Sequence, residues 1–427
     1  MSLERRKIFL RQLRGRPIYN PDAGPFYWQL RFRRARMIFD DPPLVSKELF
    51  DRIAIGLIAL AILACFVALA SAQTWEMPPI SELADNEANY ERIALGSMLF
   101  RDRNLSSNKK VSCLTCHDIF GRAGTDGRAT SIGVTGVAGR RNAPALVNLG
   151  WSRLFMLDGR ALQLEGQPQM PLLSAAEHGM TEAVIVAYLN SSADYKARFS
   201  RAYGEVPSLE GVSKALACFM RELISWNAPI DRYLAGETWA LDRQAKLGWA
   251  VFLNCTEASG FTTEAKINCV SSHKGIDYFH KPLPGSCAAC HNGPNFAWDA
   301  DQVHRYHNCA VGVYDVDLGR EIIEGADDAA KLRGQRDFRF VDAYKTATLR
   351  ELRLTAPYFH NGLATTIDDA LDMKQRGGDP DIARDKLVYS YKWTKAEREA
   401  LRYFLLTAFE GDYRQRVAKL GIDAGNY

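Results

Sequence analysis

Two five-residue strings constrain this chain more than anything else in it: Cys113-Leu114-Thr115-Cys116-His117 and Cys287-Ala288-Ala289-Cys290-His291. Each reads C-x-x-C-H, the attachment pattern of a c-type haem. The spacing suits the chemistry. Two thiols add to the two vinyl groups of one porphyrin, and the next residue brings an imidazole to the iron. A zinc site or a redox dithiol is the competing reading. Zinc would need two further ligands at matching spacing, whereas each string carries its own His. The chain is therefore expected to hold two covalent haems c, one on Cys113, Cys116 and His117, the other on Cys287, Cys290 and His291. No stretch sustains a period-two alternation, so helices with long loops around the cofactors are expected.

The ends of the chain differ in charge. Residues 1–50 hold 11 Lys or Arg against 5 Asp or Glu, while the whole chain is only +4, so the remainder is about −2. Nothing in this pattern points to nucleic acid. Ile53 to Ala72 is a run of twenty uncharged residues, long enough to cross a bilayer once. The arginines before it (Arg31, Arg33, Arg34, Arg36) place the N-terminus in the cytoplasm. Everything after Gln73 is then expected in the periplasm, where haem attachment and disulfides both fit. Ala70-Ser71-Ala72 resembles a signal-peptidase site, but cleavage there would remove an unusually long leader, and an uncleaved anchor is the preferred reading. Phe26 to Phe39 interleaves aromatics with arginines. It is read either as a surface that lies on the inner leaflet or docks on a membrane complex, or as a basic topology signal alone.

Four segments follow: a cytoplasmic basic and aromatic stretch at 1–50, an anchor at 51–73, and two helical lobes at 74–235 and 236–427, each with one haem. A weak repeat supports two lobes. Leu95-Gly96-Ser97-Met98-Leu99-Phe100 precedes the first haem string and Leu247-Gly248-Trp249-Ala250-Val251-Phe252 the second, both L-G-x-x-x-F. Val212 to Trp226 is expected to close the first lobe. The capping box Thr394-Lys395-Ala396-Glu397 opens the helix that closes the second. The second lobe carries an insertion with Cys255 and Cys269, which are read either as a disulfide or as two free thiols. Cys65, Cys218 and Cys309 are expected to be core or membrane residues.

From about Glu91 to Phe409 the sequence resembles the bacterial dihaem cytochrome c peroxidases and their MauG-type relatives. The resemblance rests on both haem strings, Arg141-Asn142-Ala143-Pro144, Leu157-Asp158-Gly159-Arg160-Ala161, Thr355-Ala356-Pro357-Tyr358-Phe359-His360-Asn361-Gly362 and Arg376-Gly377-Gly378. It implies two cytochrome c-like lobes with facing haems. The N-terminal haem would react with hydrogen peroxide and the C-terminal haem would pass electrons to it. A calcium ion would lie between them on Asn142, Thr355 and Pro357. The family's peroxide pocket implies Gln167 to orient the ligand and Glu177 to relay a proton between the peroxide oxygens. His178, beside Glu177, is read as a further proton carrier or a structural His.

Three departures stand out. Many family members block the first haem with a second His sixteen residues past the haem-string His. Val134 is read as holding that place, which leaves the iron open to peroxide. At the second haem the family has Met, or Tyr in MauG; here the position is Lys374. Ile367, Ala370, Leu371 and Lys374 share one helical face, with Met373 pointing elsewhere. Ligation by Lys374, ligation by Met373 and no sixth ligand all stay open. Leu157 replaces an aromatic residue that usually lies between the haems. The reading that results is a membrane-anchored peroxidase fed by a small cytochrome or a membrane donor. Its alternatives are a MauG-like oxidase acting on a protein partner and a non-catalytic electron-transfer subunit of a membrane complex.

Overall fold

The computed structural model describes residues 75–80, 85–271, 285–297, 306–312, 342–379 and 384–422, together with 52, 55 and 56. The expected membrane span, except residues 55 and 56, and the Phe26–Phe39 segment lie outside the described residues. Among the described residues no helix is long and apolar enough to cross a membrane. Residues 75–427 form one compact unit.

That unit is mainly helical and has two hydrophobic cores. The first is built on α1 (Tyr90–Arg101), α2 (Cys113–Cys116), α3 (Gln169–Leu173), α4 (Glu182–Ser191), α5 (Ala193–Tyr203) and α6 (Leu209–Arg221). The second uses α7 (Pro229–Leu234), α8 (Arg243–Phe252), α9 (Thr263–Ser271), α10 (Ile367–Arg376) and α11 (Lys395–Thr407). A last helix, α12 (Tyr413–Lys419), returns to the first core, where Tyr413 and Val417 are buried. Strands are confined to an antiparallel pair, β1 (Tyr306–His307) and β2 (Tyr344–Lys345).

The L-G-x-x-x-F repeat is a packing device used twice. In α1, a Cβ on Gly96 would overlap the Ala215 carbonyl and the Phe219 side chain of α6. In α8, a Cβ on Gly248 would overlap the Ala400 carbonyl and the Phe404 side chain of α11. Each glycine lets its helix cross the closing helix backbone to backbone, and the phenylalanine at the end of the motif, Phe100 or Phe252, is fully buried beside the contact. The haem string follows each crossing.

Helix starts follow the sequence. Asn89 caps α1 through the Arg92 amide. Thr394 and Glu397 form the expected capping box on α11. Glu397 does more than cap: it also accepts from the Glu257 amide at 2.8 Å and pairs with Lys266 at 2.7 Å, both side chains being 4% exposed. Cys255 and Cys269 are joined by a disulfide, so the insertion is held by a covalent bond and a buried ion pair. Cys218 is a buried core residue, whereas Cys309 is only half-buried.

The two cores meet along a polar seam. Arg350, with no exposed surface, pairs with both oxygens of Asp231 at 2.7 Å. The Glu351 carboxylate accepts from the Ser225 hydroxyl at 2.6 Å and the Gly411 amide at 2.8 Å. Charges this deeply enclosed are tolerated because their hydrogen-bonding capacity is met.

Candidate functional site

Both haem strings adopt the same local turn. The His117 amide donates to the Cys113 carbonyl at 2.9 Å, and the His291 amide to the Cys287 carbonyl at 2.8 Å. Each imidazole is then fixed through Nδ1, His117 to the Gly124 carbonyl at 2.7 Å and His291 to the Phe296 carbonyl at 3.1 Å. That arrangement sets the tautomer and leaves Nε2 as the metal-binding nitrogen. Burial lowers the pKa of both rings. His291 falls to about 4, with the Lys374 charge adding to the effect. Neutral imidazoles are the form that binds iron. Burial also pushes the Cys113 and Cys287 thiols up to about 12 and Cys116 to about 11. A redox dithiol depends on a depressed thiol pKa, so that alternative loses its basis.

Around the first string the structure gathers the expected pocket residues. Sixteen residues past His117 is Gly133, not Val134, which is the seventeenth; neither side chain can bind iron. Gly133 lies flush against the Ala176 carbonyl and the Glu177 backbone, with no room for a side chain. The Val134 amide donates to the Glu177 carbonyl at 2.9 Å. The non-ligating segment and the carboxylate-bearing loop are thus zipped together. Glu177 is exposed to solvent at its residue surface. The protein crowding the rest of its carboxyl raises its pKa, against the opposing pull of Arg160 and Ser174. Gln167 lies at the end of a short turn and donates from Nε2 to the Met156 sulfur at 3.3 Å. Met156 and Arg160 belong to one loop, which ties Gln167 to Glu177. His178 is buried, with Nδ1 on the Leu105 carbonyl at 2.7 Å, and its pKa is lowered by burial. It serves as a structural residue that pins the loop.

The same loop reaches the second half. Asp158, fully buried, pairs with Arg141 at 2.5 Å and Arg160 at 2.6 Å. The carbonyl of Leu157 accepts from the Lys345 amide at 2.7 Å. The Asn142 amide donates to the His360 carbonyl at 2.6 Å, which brings Asn142 to the loop that contains Thr355 and Pro357. The Asn142 side-chain nitrogen is spent on the Arg128 and Ala129 carbonyls. Among the described residues no cluster of three or more His, Cys, Asp or Glu could hold a free metal ion. The expected calcium set contains none of those residue types and would rely on amide and carbonyl oxygens.

At the second string, α10 places Lys374 as its periodicity predicted, on the face of Ile367, Ala370 and Leu371. Its ammonium lies 5.5 Å from the Phe359 ring centre. Met373 packs instead against the second core. Burial disfavours the charged amine, but the thiols of Cys309, Cys290 and Cys287 outweigh it and raise the pKa of Lys374. Cys287 and Cys290 cannot do this once they are thioethers, and of the three only Cys309 stays beside the amine.

His307 was not anticipated. It is 5% exposed, its Nδ1 is 2.7 Å from Asp385, and its Nε2 is buried without a hydrogen-bond partner. Burial pulls its pKa down, but Asp385 and the Cys290 thiol beside it reverse this, to about 10. A buried ring nitrogen without a hydrogen bond beside a haem string fits a polar cofactor group placed there. The signal was present in the sequence: His307 lies sixteen residues past His291, the spacing sought only in the first lobe.

Fold and site together define a two-lobed c-type dihaem protein. The comparisons agree. The family model described as di-haem cytochrome c peroxidase matches residues 90–239. The methylamine utilization protein MauG of Methylorubrum extorquens is 31% identical over 324 residues, covering 75% of this chain and 79% of that one. The cytochrome c551 peroxidase of Pseudomonas aeruginosa is 27% identical over 295 residues, 68% of this chain and 74% of its own. A crystal structure of a MauG-like protein associated with microbial copper homeostasis superposes with a TM-score of 0.63 at 26% identity, over 79% of this chain and 95% of that one. The chain belongs to the dihaem cytochrome c peroxidase and MauG family. It is an oxidoreductase that acts on peroxide, and membership brings two c-type haems.

Proposed function

We propose that this chain is a periplasmic peroxidase, anchored in the inner membrane by residues 53–72, that reduces hydrogen peroxide at the first haem with electrons from a small cytochrome or a membrane donor. The name of the Pseudomonas aeruginosa relative, a cytochrome c551 peroxidase, supports both substrate and donor. When bound, the two haems supply the open iron position and the electron path. The protein supplies the rest. Gln167 orients the peroxide, and Glu177 takes the proton from one oxygen and returns it to the other, so that water departs. Asn142, Thr355 and Pro357 would hold a calcium ion at the seam.

The observation that carries this reading is the hydrogen bond from Val134 to Glu177. It puts a residue that cannot ligate iron and a carboxylate with a raised pKa in one backbone ladder. The test is spectroscopic. The loaded protein should show one high-spin ferric haem at rest and react with peroxide without prior reduction. A resting protein with only low-spin haem would refute the open site.

A second reading, MauG-like oxidation of a protein partner, draws on Lys374: the second string faces an amine where family peroxidases place a methionine. Steady turnover with a reduced cytochrome would favour the first reading, and its absence with intact peroxide reactivity the second.

A further inference from the structure

Three tryptophans gather where the two cores meet. Trp75 stacks on Trp226 with ring centres 6.1 Å apart and planes 11° apart, and Trp151 meets Trp226 edge-on at 5.5 Å. All three are half-buried. Trp75 also approaches Phe296 at 6.4 Å, and the Phe296 carbonyl is the group that holds Nδ1 of His291. A continuous contact path thus runs from the surface, through Trp75 and Phe296, to the proximal imidazole of the second string.

The charges along this path are uneven. The Arg350 guanidinium sits 4.6 Å from the centre of the Trp226 ring. The Trp75 indole N–H instead donates to Asp231 Oδ1 at 3.1 Å. A cation over the ring opposes loss of an electron from Trp226, while a carboxylate on the N–H favours it at Trp75. Arg350 and Asp231 neutralise each other overall, but each indole meets a different member of the pair. A positive charge on the stack therefore settles on Trp75, the end nearer the exposed Glu76 and Met77. Phe296 cannot be oxidised under these conditions and serves as packing through which the electron tunnels.

We propose that Trp75 is a second, surface oxidation site for small aromatic reductants such as phenols. The proposal rests on the peroxidase reading. Peroxide takes two electrons and two protons to become two waters, and Trp75 relays both electrons, one at a time, through Phe296 and His291. Asp231 holds the indole proton while Trp75 is oxidised and returns it on reduction. Two phenols at the surface in turn each return one electron to Trp75 and leave as phenoxyl radicals, their two protons ending in the water, so that one peroxide and two phenols give two waters and two phenoxyl radicals. From His291 the electron still has to pass to the first haem, the step beside which Leu157 stands.

The experiment uses the full-length protein with both haems. It is mixed with hydrogen peroxide without a donor, freeze-quenched for electron paramagnetic resonance, and digested for peptide mass spectrometry. A tryptophan-type radical is expected, with one or two oxygen atoms added to the Trp75 peptide and none to that of fully buried Trp249. Trp75→Phe should abolish the radical, the added mass and phenol oxidation, while the optical reaction with peroxide and reduced-cytochrome turnover persist. Trp226→Phe should keep the Trp75 product, because Trp75 touches Phe296 directly. A radical or mass gain that survives Trp75→Phe, or phenol oxidation that does, overturns the proposal and leaves the peroxidase reading standing. Failure of the haems to react with peroxide at all would bring down both.

Discussion

The amide of Val134 donates to the carbonyl of Glu177 at 2.9 Å. One hydrogen bond joins the segment that carries Gly133 and Val134, neither able to bind iron, to the loop that carries the Glu177 carboxylate.

Glu177→Gln keeps this backbone bond and removes only the carboxylate. Both haems should remain attached, and peroxide cleavage should slow by about a hundredfold, the usual cost of a positioned acid–base group. Because the pKa of Glu177 is raised, the base form is lost as pH falls through a value above the ordinary carboxylate range. The rate of the unmodified protein should drop on that acid limb, and Glu177→Gln should flatten it. Stopped-flow rates across pH decide this; an unchanged rate in Glu177→Gln removes the residue from the chemistry.

Lys374 faces the second string, and Cys309 is the group favouring its charged form that persists after haem attachment. Amine ligation should therefore grow as pH rises. Cys309→Ser should shift that transition to lower pH, since it removes a group that favours the ammonium. Lys374→Met should raise the second haem's potential and add a near-infrared band of methionine ligation. If the unmodified protein already has that band, Met373 or another methionine is the ligand. A low-spin spectrum untouched by Lys374→Ala would take the side chain off the iron altogether.

Gly96→Ala and Gly248→Ala test the repeated helix crossing. In an exposed helix such changes stabilise by up to about 1 kcal/mol. Here each new methyl would overlap a facing backbone carbonyl, and overpacking of this kind costs roughly 1–3 kcal/mol. Both variants should lower the thermal midpoint, by similar amounts if the two crossings are equivalent. A raised midpoint would show that the helices part without penalty.

The Cys255–Cys269 bond spans 14 residues. Cross-linking a loop of that length stabilises by about 3 kcal/mol in the chain-entropy model. Cys255→Ser with Cys269→Ser should unfold the second lobe at lower denaturant concentration. Peptide mapping under non-reducing conditions would expose the error directly if the thiols were free.

The two haem strings, the repeated crossing, the helical class and the inward face of α10 were all readable from spacing, because each depends on residues close in sequence. The surroundings of Lys374 were not, since only the fold carries Cys309 beside it from a distant segment. His307 escaped for a related reason: its value lies in an orphaned Nε2 and a salt partner, Asp385, far along the chain. The seam between the cores was equally hidden, since nothing local marks Asp231 and Arg350 as partners.

Helix α12 gives the chain an unexpected order of completion. Tyr413 and Val417, among the last described residues, are buried in the core of the first lobe. The lobe synthesised first is therefore finished last, and its wall is missing until nearly the whole polypeptide has emerged. A stop codon just before Asp412 would shorten the second half on paper, yet the damage would fall on the first. The two haem lobes cannot be separated by a single cut in the gene, and an attempt to express the N-terminal half alone would produce a lobe with an open core.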